Sequence, residues 1–142
     1  MAAILFVDDE DALRRAVRRW FERRGIDVWT AKSVFSAKRC FVEHDDIRAA
    51  IIDVWLGDGT GMELFAWLSA EYPEVAKRVA FLTGGDLFGS PLADLRIETL
   101  DRPVLTKPFD FAQLERLTAR WLADALVVGH GADLPSVSPP PP

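Results

Sequence analysis

The chain alternates between short, almost wholly apolar runs and longer stretches in which apolar residues recur at helical spacing. The short runs are Ala2 to Val7, Ile26 to Thr30, Ala49 to Val54, Val79 to Leu82 and Pro103 to Thr106. Runs of this length, rich in Val and Ile and bounded by turn residues, read as buried strands. Between the first two, Asp11 to Arg24 puts Leu13, Val17, Trp20 and Phe21 on one face and arginines on the other, which predicts an amphipathic helix capped by Gly25. Ser33 is the expected N-cap of a second helix carrying Val34, Ala37, Cys40 and Phe41, which ends in the polar loop His44-Asp45-Asp46. Thr60-Gly61 opens a third, with Leu64, Phe65 and Leu68 inward, and Tyr72-Pro73 ends it. A fourth spans Phe88 to Leu100, with Gly89 and Pro91 breaking its first turn. Asp110 caps a fifth, in which Leu114, Leu117, Trp121 and Ala125 share a face. Strands alternating with helices in this way predict an α/β fold: a doubly wound, five-stranded parallel sheet flanked by five helices. After Val128 the chain turns to Gly-His-Gly-Ala-Asp and a proline-rich end too poor in apolar residues to bury a surface of its own. Residues 1–128 are therefore expected to form one domain, and 129–142 a disordered proline-rich tail or linker.

Composition narrows the function classes. A length of 142 residues with 49% hydrophobic content fits one domain with a real core. The net charge of −5 argues against a nucleic-acid-binding surface. Arg14, Arg15, Arg18, Arg19, Arg23 and Arg24 cluster, but at helical spacing, and read as a solvated helix face. The lone cysteine, Cys40, excludes an internal disulfide and reads as a small, partly buried hydrophobe. No run approaches the ~20 apolar residues needed to cross a bilayer, and no signal-peptide pattern opens the chain. A cytoplasmic setting without membrane insertion is the expectation.

Four of the five strands stop at a polar residue: Asp8-Asp9, Asp53, Thr83 and Lys107. In a parallel sheet these ends share one edge, where open α/β sheets bind ligands. Three carboxylates gathered there repel one another unless a cation intervenes. Oxygen ligands without Cys or His suit a hard ion, Mg²⁺ above all. With the ammonium of Lys107 and the hydroxyl of Thr83, the constellation is suited to receive a phosphoryl group, Asp53 being the nucleophile. Gly57, Gly59 and Gly61 do not form a nucleotide-binding loop, because the full glycine pattern and the Walker lysine are missing. His44 and His130 fall in a helix-end loop and the tail, poor places for a phospho-donor.

Val7-Asp8-Asp9-Glu10, Ile52-Asp53, Leu82-Thr83-Gly84 and Lys107-Pro108-Phe109, in this order and spacing, resemble the response-regulator receiver domain of two-component signalling from about Ala3 to Val127. The resemblance implies a flavodoxin-like sheet of strand order 2-1-3-4-5. It implies that Asp9 and Asp53 bind Mg²⁺ directly, that the backbone carbonyl of Trp55 completes the protein ligands, and that Asp8 acts through water. Lys107 would pair with the phosphoryl oxygens, Thr83 would hydrogen-bond one of them, and Lys107–Pro108 would be cis. The implied partner is a histidine kinase or histidine phosphotransfer protein that donates from a phosphohistidine. The domain would catalyse its own phosphorylation and dephosphorylation, without being a turnover enzyme on a small substrate. The chain shows no DNA-binding domain, so output is expected through protein interaction, a downstream protein target or onward relay. Leu82-Thr83-Gly84-Gly85 and Pro103 to Phe109 also look like the receiver of a hybrid histidine kinase.

Two departures bear on output. Many receivers place Tyr or Phe three residues before the lysine; Val104 stands there, so no aromatic rotamer can report phosphorylation. Gly84-Gly85 replaces the commoner Ala after Thr83 and leaves less cover over the site. A phosphorylation-independent pseudo-receiver is the alternative that Val104 permits. A phosphatase with an aspartyl nucleophile would want a second acid where Trp55 stands.

Overall fold

The computed structural model describes residues 2–84 and 101–133, with side chains as far as Ala125. The elements are β1 (Ala3–Val7), α1 (Asp11–Glu22), β2 (Asp27–Ala31), α2 (Val34–Glu43), β3 (Ile47–Asp53), the two-residue strands β4 (Trp55–Leu56) and β5 (Gly59–Thr60), α3 (Gly61–Glu71), α4 (Pro73–Ala76), β6 (Val79–Thr83), β7 (Val104–Thr106) and α5 (Phe111–Asp133). Five strands pair in parallel in the order β2-β1-β3-β6-β7, and β4 and β5 form a separate antiparallel hairpin. Counting only the sheet strands, this is the expected 2-1-3-4-5 order of a flavodoxin-like fold.

The apolar runs are legible as strands because the sheet is buried on both faces. Leu5, Val7, Ala50, Ile52 and Phe81 join Ala37 and Phe41 of α2 and Leu64 and Leu68 of α3 in one core. Their neighbours Ile4, Phe6, Ala49, Ile51 and Leu82 join Val17 and Phe21 of α1 and Leu114 of α5 in the other. Side chains alternate along each strand, so a run apolar at every position is what two covered faces require.

Local chemistry sets the helix ends. Ser33 caps α2 as expected: its hydroxyl accepts from Ser36 N–H at 3.0 Å, and Ser36 Oγ accepts from Ser33 N–H at 3.0 Å. Thr60 and Glu63 make the matching reciprocal cap on α3. Gly25 does not cap α1 itself. The cap is Arg23, and Gly25 follows two residues on with φ +73°, the left-handed turn that leads into β2. Pro73 begins α4, a single turn the periodicity did not reveal. The last helix continues to Asp133, beyond the Val128 boundary.

The expected helix Phe88 to Leu100 and residues 134–142 lie outside the described residues. Among the described residues, no helix is long and apolar enough to cross a membrane. Cys40 is half-buried and free. The arginine face of α1 is not uniformly solvated. Arg24, just past the end of α1, pairs with Glu115 of α5 at 2.7 Å and lies 3.5 Å over the Trp20 ring, so part of the arginine cluster tethers the end of α1 to α5.

Candidate functional site

Each predicted polar residue sits where its strand runs out. The last rung between β1 and β3 pairs Val7 with Ile52, so Asp8 and Asp53 emerge side by side. Asp53 pairs with Leu82 of β6, and Thr83 pairs with Thr106 of β7, next to Lys107. One edge thus gathers residues from four strands.

Carboxylate oxygens of Asp8, Asp9 and Asp53 all lie within 4.8 Å of one another. Asp8 and Asp53 are buried, while Asp9 is exposed at the rim. Lys107 Nζ donates to Asp53 Oδ2 at 2.9 Å and approaches Asp8 Oδ2 at 2.6 Å. The ammonium thus bridges the two buried carboxylates. Asp8 Oδ1 accepts from Glu10 N–H at 2.9 Å, and Asp53 Oδ1 accepts from Trp55 N–H at 3.1 Å. The N-cap of α1 is Glu10, with no side-chain cap bond, so the acidic pair is not explained as a helix cap.

Burial is the largest influence on Asp53 and raises its pKa above 3.8; Asp8 adds to the rise, while the Lys107 and Trp55 bonds oppose it. For Lys107, burial pulls downward, but the bonds and charges of Asp8 and Asp53 outweigh it and raise the pKa above 10.5. Three carboxylates facing one ammonium leave an excess of negative charge. Among the described residues, Thr83 Oγ1 is a buried side-chain atom with no hydrogen-bond partner. Such an atom is costly unless a further group arrives to use it. An all-oxygen, net-negative donor set of this kind fits a hard divalent cation.

The segment after Asp53 is packed closely. Gly61 N–H donates to Val54 O at 2.8 Å. A Cβ built on Gly61 would lie 2.6 Å from Asp53 O and 3.0 Å from Ile52 Cγ2, so only glycine fits without a shift. The glycine-rich turn is therefore the lead into α3, pressed onto the Asp53 backbone. Trp55 opens the hairpin and its side chain is 43% exposed, turned outward from the fold. Lys107–Pro108 is cis. Val104 is 40% exposed at the outer strand of the sheet.

Three residues near the site carry contacts that the sequence did not disclose. Arg14 donates to Asp8 O at 2.7 Å and also to Asp11, so it braces the peptide that joins the two N-terminal carboxylates. Asp58, at the hairpin tip, accepts from Val34 N–H at 2.8 Å and Phe35 N–H at 3.0 Å in the first turn of α2. These two bonds hold its carboxyl below the usual range. Glu63 accepts from Thr60 N–H at 3.0 Å, and of the three it alone had a local clue, the Thr-x-x-Glu spacing.

Known proteins are similar to this chain in sequence and fold. The photosynthetic apparatus regulatory protein RegA of Rhodobacter capsulatus is 32% identical over 108 residues, covering 76% of this chain and 56% of RegA. The response regulator protein PilR of Pseudomonas aeruginosa is 27% identical over 118 residues, covering 83% of this chain but 25% of PilR. The chain thus spans about half the length of the first relative and a quarter of the second. The crystal structure of a response regulator receiver domain protein from Clostridium thermocellum superposes with a TM-score of 0.75 over 90% of this chain and 99% of that one, at 24% identity, and shares the fold. Residues 4–119 match the response regulator receiver domain as a family, and the chain belongs to it.

Proposed function

We propose that this domain accepts a phosphoryl group on Asp53 from a phosphohistidine of a histidine kinase or histidine phosphotransfer protein, and later loses it to water. The observation that carries this reading is the cluster of Asp8, Asp9 and Asp53 within 4.8 Å, neutralised only in part by Lys107. An Asp53 carboxylate oxygen attacks phosphorus, the P–N bond to imidazole breaks, and an acyl phosphate remains. Little covalent chemistry is asked of the protein beyond this nucleophile; positioning and charge do the rest. Lys107, already 2.9 Å from Asp53 Oδ2, is placed to pair with the incoming phosphoryl oxygens. Thr83 Oγ1, buried without a partner, supplies a hydrogen-bond donor to one of them. Asp8, Asp9, Asp53 and the backbone carbonyl of Trp55 would hold Mg²⁺, which when bound neutralises charge on the transferring group. The domain promotes its own phosphorylation and dephosphorylation. We place it in the cytoplasm, with output through contact with a protein target or onward relay.

The decisive measurement is intact mass after incubation with Mg²⁺ and acetyl phosphate. The wild-type chain is expected to gain one phosphoryl group and Asp53→Asn none. An unmodified wild-type chain would favour a phosphorylation-independent interaction module, and equal labelling of the variant would move the acceptor elsewhere.

A further inference from the structure

Phosphoryl acceptance accounts for Asp53, Lys107 and the acidic pair but leaves Asp58 unused. Asp58 is on the surface, where a carboxylate has no need of a partner, yet both its oxygens are engaged by backbone N–H groups of another element. Ser33 already caps α2 through Ser36 N–H, so with Asp58 the first three amides of the helix, Val34, Phe35 and Ser36, are all satisfied. The tip of the hairpin is thereby fastened to α2. Its base is fastened to the nucleophile, because Trp55 N–H donates to Asp53 Oδ1 at 3.1 Å. Between them, Trp55 pairs with Thr60 and Leu56 with Gly59. A Cβ on Gly59 would lie 3.2 Å from Val34 Cγ2, so hairpin and helix also touch closely. The hairpin is a short strut with one end on Asp53 and the other on α2.

We propose that Asp58 is a positioning residue for the acceptor site: by clamping the hairpin to the first turn of α2, it holds the Trp55 backbone against Asp53 and carries changes at Asp53 to α2. This rests on the reading of Asp53 as phospho-acceptor. Coupling of this kind is reciprocal, so a clamp that helps to set the site also reports its occupancy. The report arrives beside Phe35, whose side chain is 65% exposed on the first turn of α2. Val104, the position at which an aromatic reporter would otherwise stand, takes no part in the route.

The test follows backbone amides of the ¹⁵N-labelled protein during titration with Mg²⁺ and beryllofluoride. In the wild type, Trp55 is expected to shift together with Val34 and Phe35. In Asp58→Ala, Trp55 still responds, but Val34 and Phe35 do not; their exchange with solvent is faster, and half-saturation needs on the order of fivefold more Mg²⁺, the low end of coupling between sites. Asp58→Asn keeps one acceptor oxygen and should fall between the two. Identical responses in Asp58→Ala and wild type would overturn the proposal, as would an Asn variant no better than Ala. Asp53→Asn isolates the underlying reading: if its Trp55 amide shifts with beryllofluoride as the wild type's does, Asp53 is not the acceptor and the reading itself fails, whatever Asp58 does.

Discussion

The two sides of Asp53 are built differently. Toward β4 and β5 the contacts are dense: Trp55 N–H bonds to the carboxylate, Gly61 packs against the backbone carbonyl, Thr60 bonds to Glu63 and Asp58 to α2. Toward β6 and β7, among the described residues, fewer groups are bonded. There Thr83 Oγ1 is buried without a hydrogen-bond partner, a Cβ on Gly84 would meet no described atom within 4 Å, and Val104 is 40% exposed. One side fixes Asp53. The other keeps a hydroxyl donor in reserve, which suits a site whose occupant comes and goes. Preorganised groups cost nothing to reorder at the moment of reaction, whereas an unpartnered hydroxyl carries a standing cost until something accepts from it.

The packed side breaks most readily at Gly61. In Gly61→Ala the new methyl meets Asp53 O at 2.6 Å, a backbone atom that cannot swing aside. Overpacking of this sort costs about 1–3 kcal/mol. Denaturant unfolding should show that loss, and phosphoryl uptake should slow as the Asp53 backbone is displaced. A variant as stable as wild type would show that this side is not tightly built.

The charges at the boundary between the two sides give the next effect. Asp53 has its pKa raised above 3.8 by burial, so between 3.8 and its folded value the native state binds more protons than the unfolded chain. Stability without Mg²⁺ therefore falls as pH rises through that window and stays lower above it. Asp53→Asn should remove this loss and be the more stable protein at neutral pH, with the gap narrowing on added Mg²⁺, which stabilises the wild type by mass action. Lys107 has the same slope in a different window, but its charged form is the favoured one: raised above 10.5, its contribution is complete below that value and is lost as pH climbs through the folded pKa. Thermal melts across pH, with and without Mg²⁺, check both signs. A wild type that loses stability on acidification through the Asp53 window, with no such loss in Asp53→Asn, would contradict the first.

The contrast between the two sides also marks what the sequence could disclose. The sheet was readable because strands covered on both faces must be apolar at every position. The acidic cluster was readable because each strand ends on its polar residue, and a parallel sheet brings those ends together without further information. Asp58 and Arg14 were not. Asp58 reaches amides 24 and 23 positions away, a contact that exists only once α2 has packed. Arg14 lies in an arginine-rich helix whose pattern reads as solvated, and nothing local distinguishes it from Arg15. Gly61 read as turn chemistry, although its constraint is the nearness of another strand's backbone. Features set by strand termini and caps are written locally; braces between elements are not.

The smallest effect belongs to the side of β6 and β7. Thr83→Val keeps the shape and replaces the buried, unpartnered hydroxyl with a methyl. Removing an unsatisfied buried donor should leave stability unchanged or raise it by about 1 kcal/mol, a gain of a few degrees in Tm. The direction is informative because most core substitutions destabilise. If Thr83 waits for a phosphoryl oxygen, the variant should still take up phosphate on Asp53, but the stabilisation that beryllofluoride gives the wild type should shrink. A Thr83→Val protein that melts lower than wild type would mean that the hydroxyl is already satisfied in the resting state and that this side is not held in reserve.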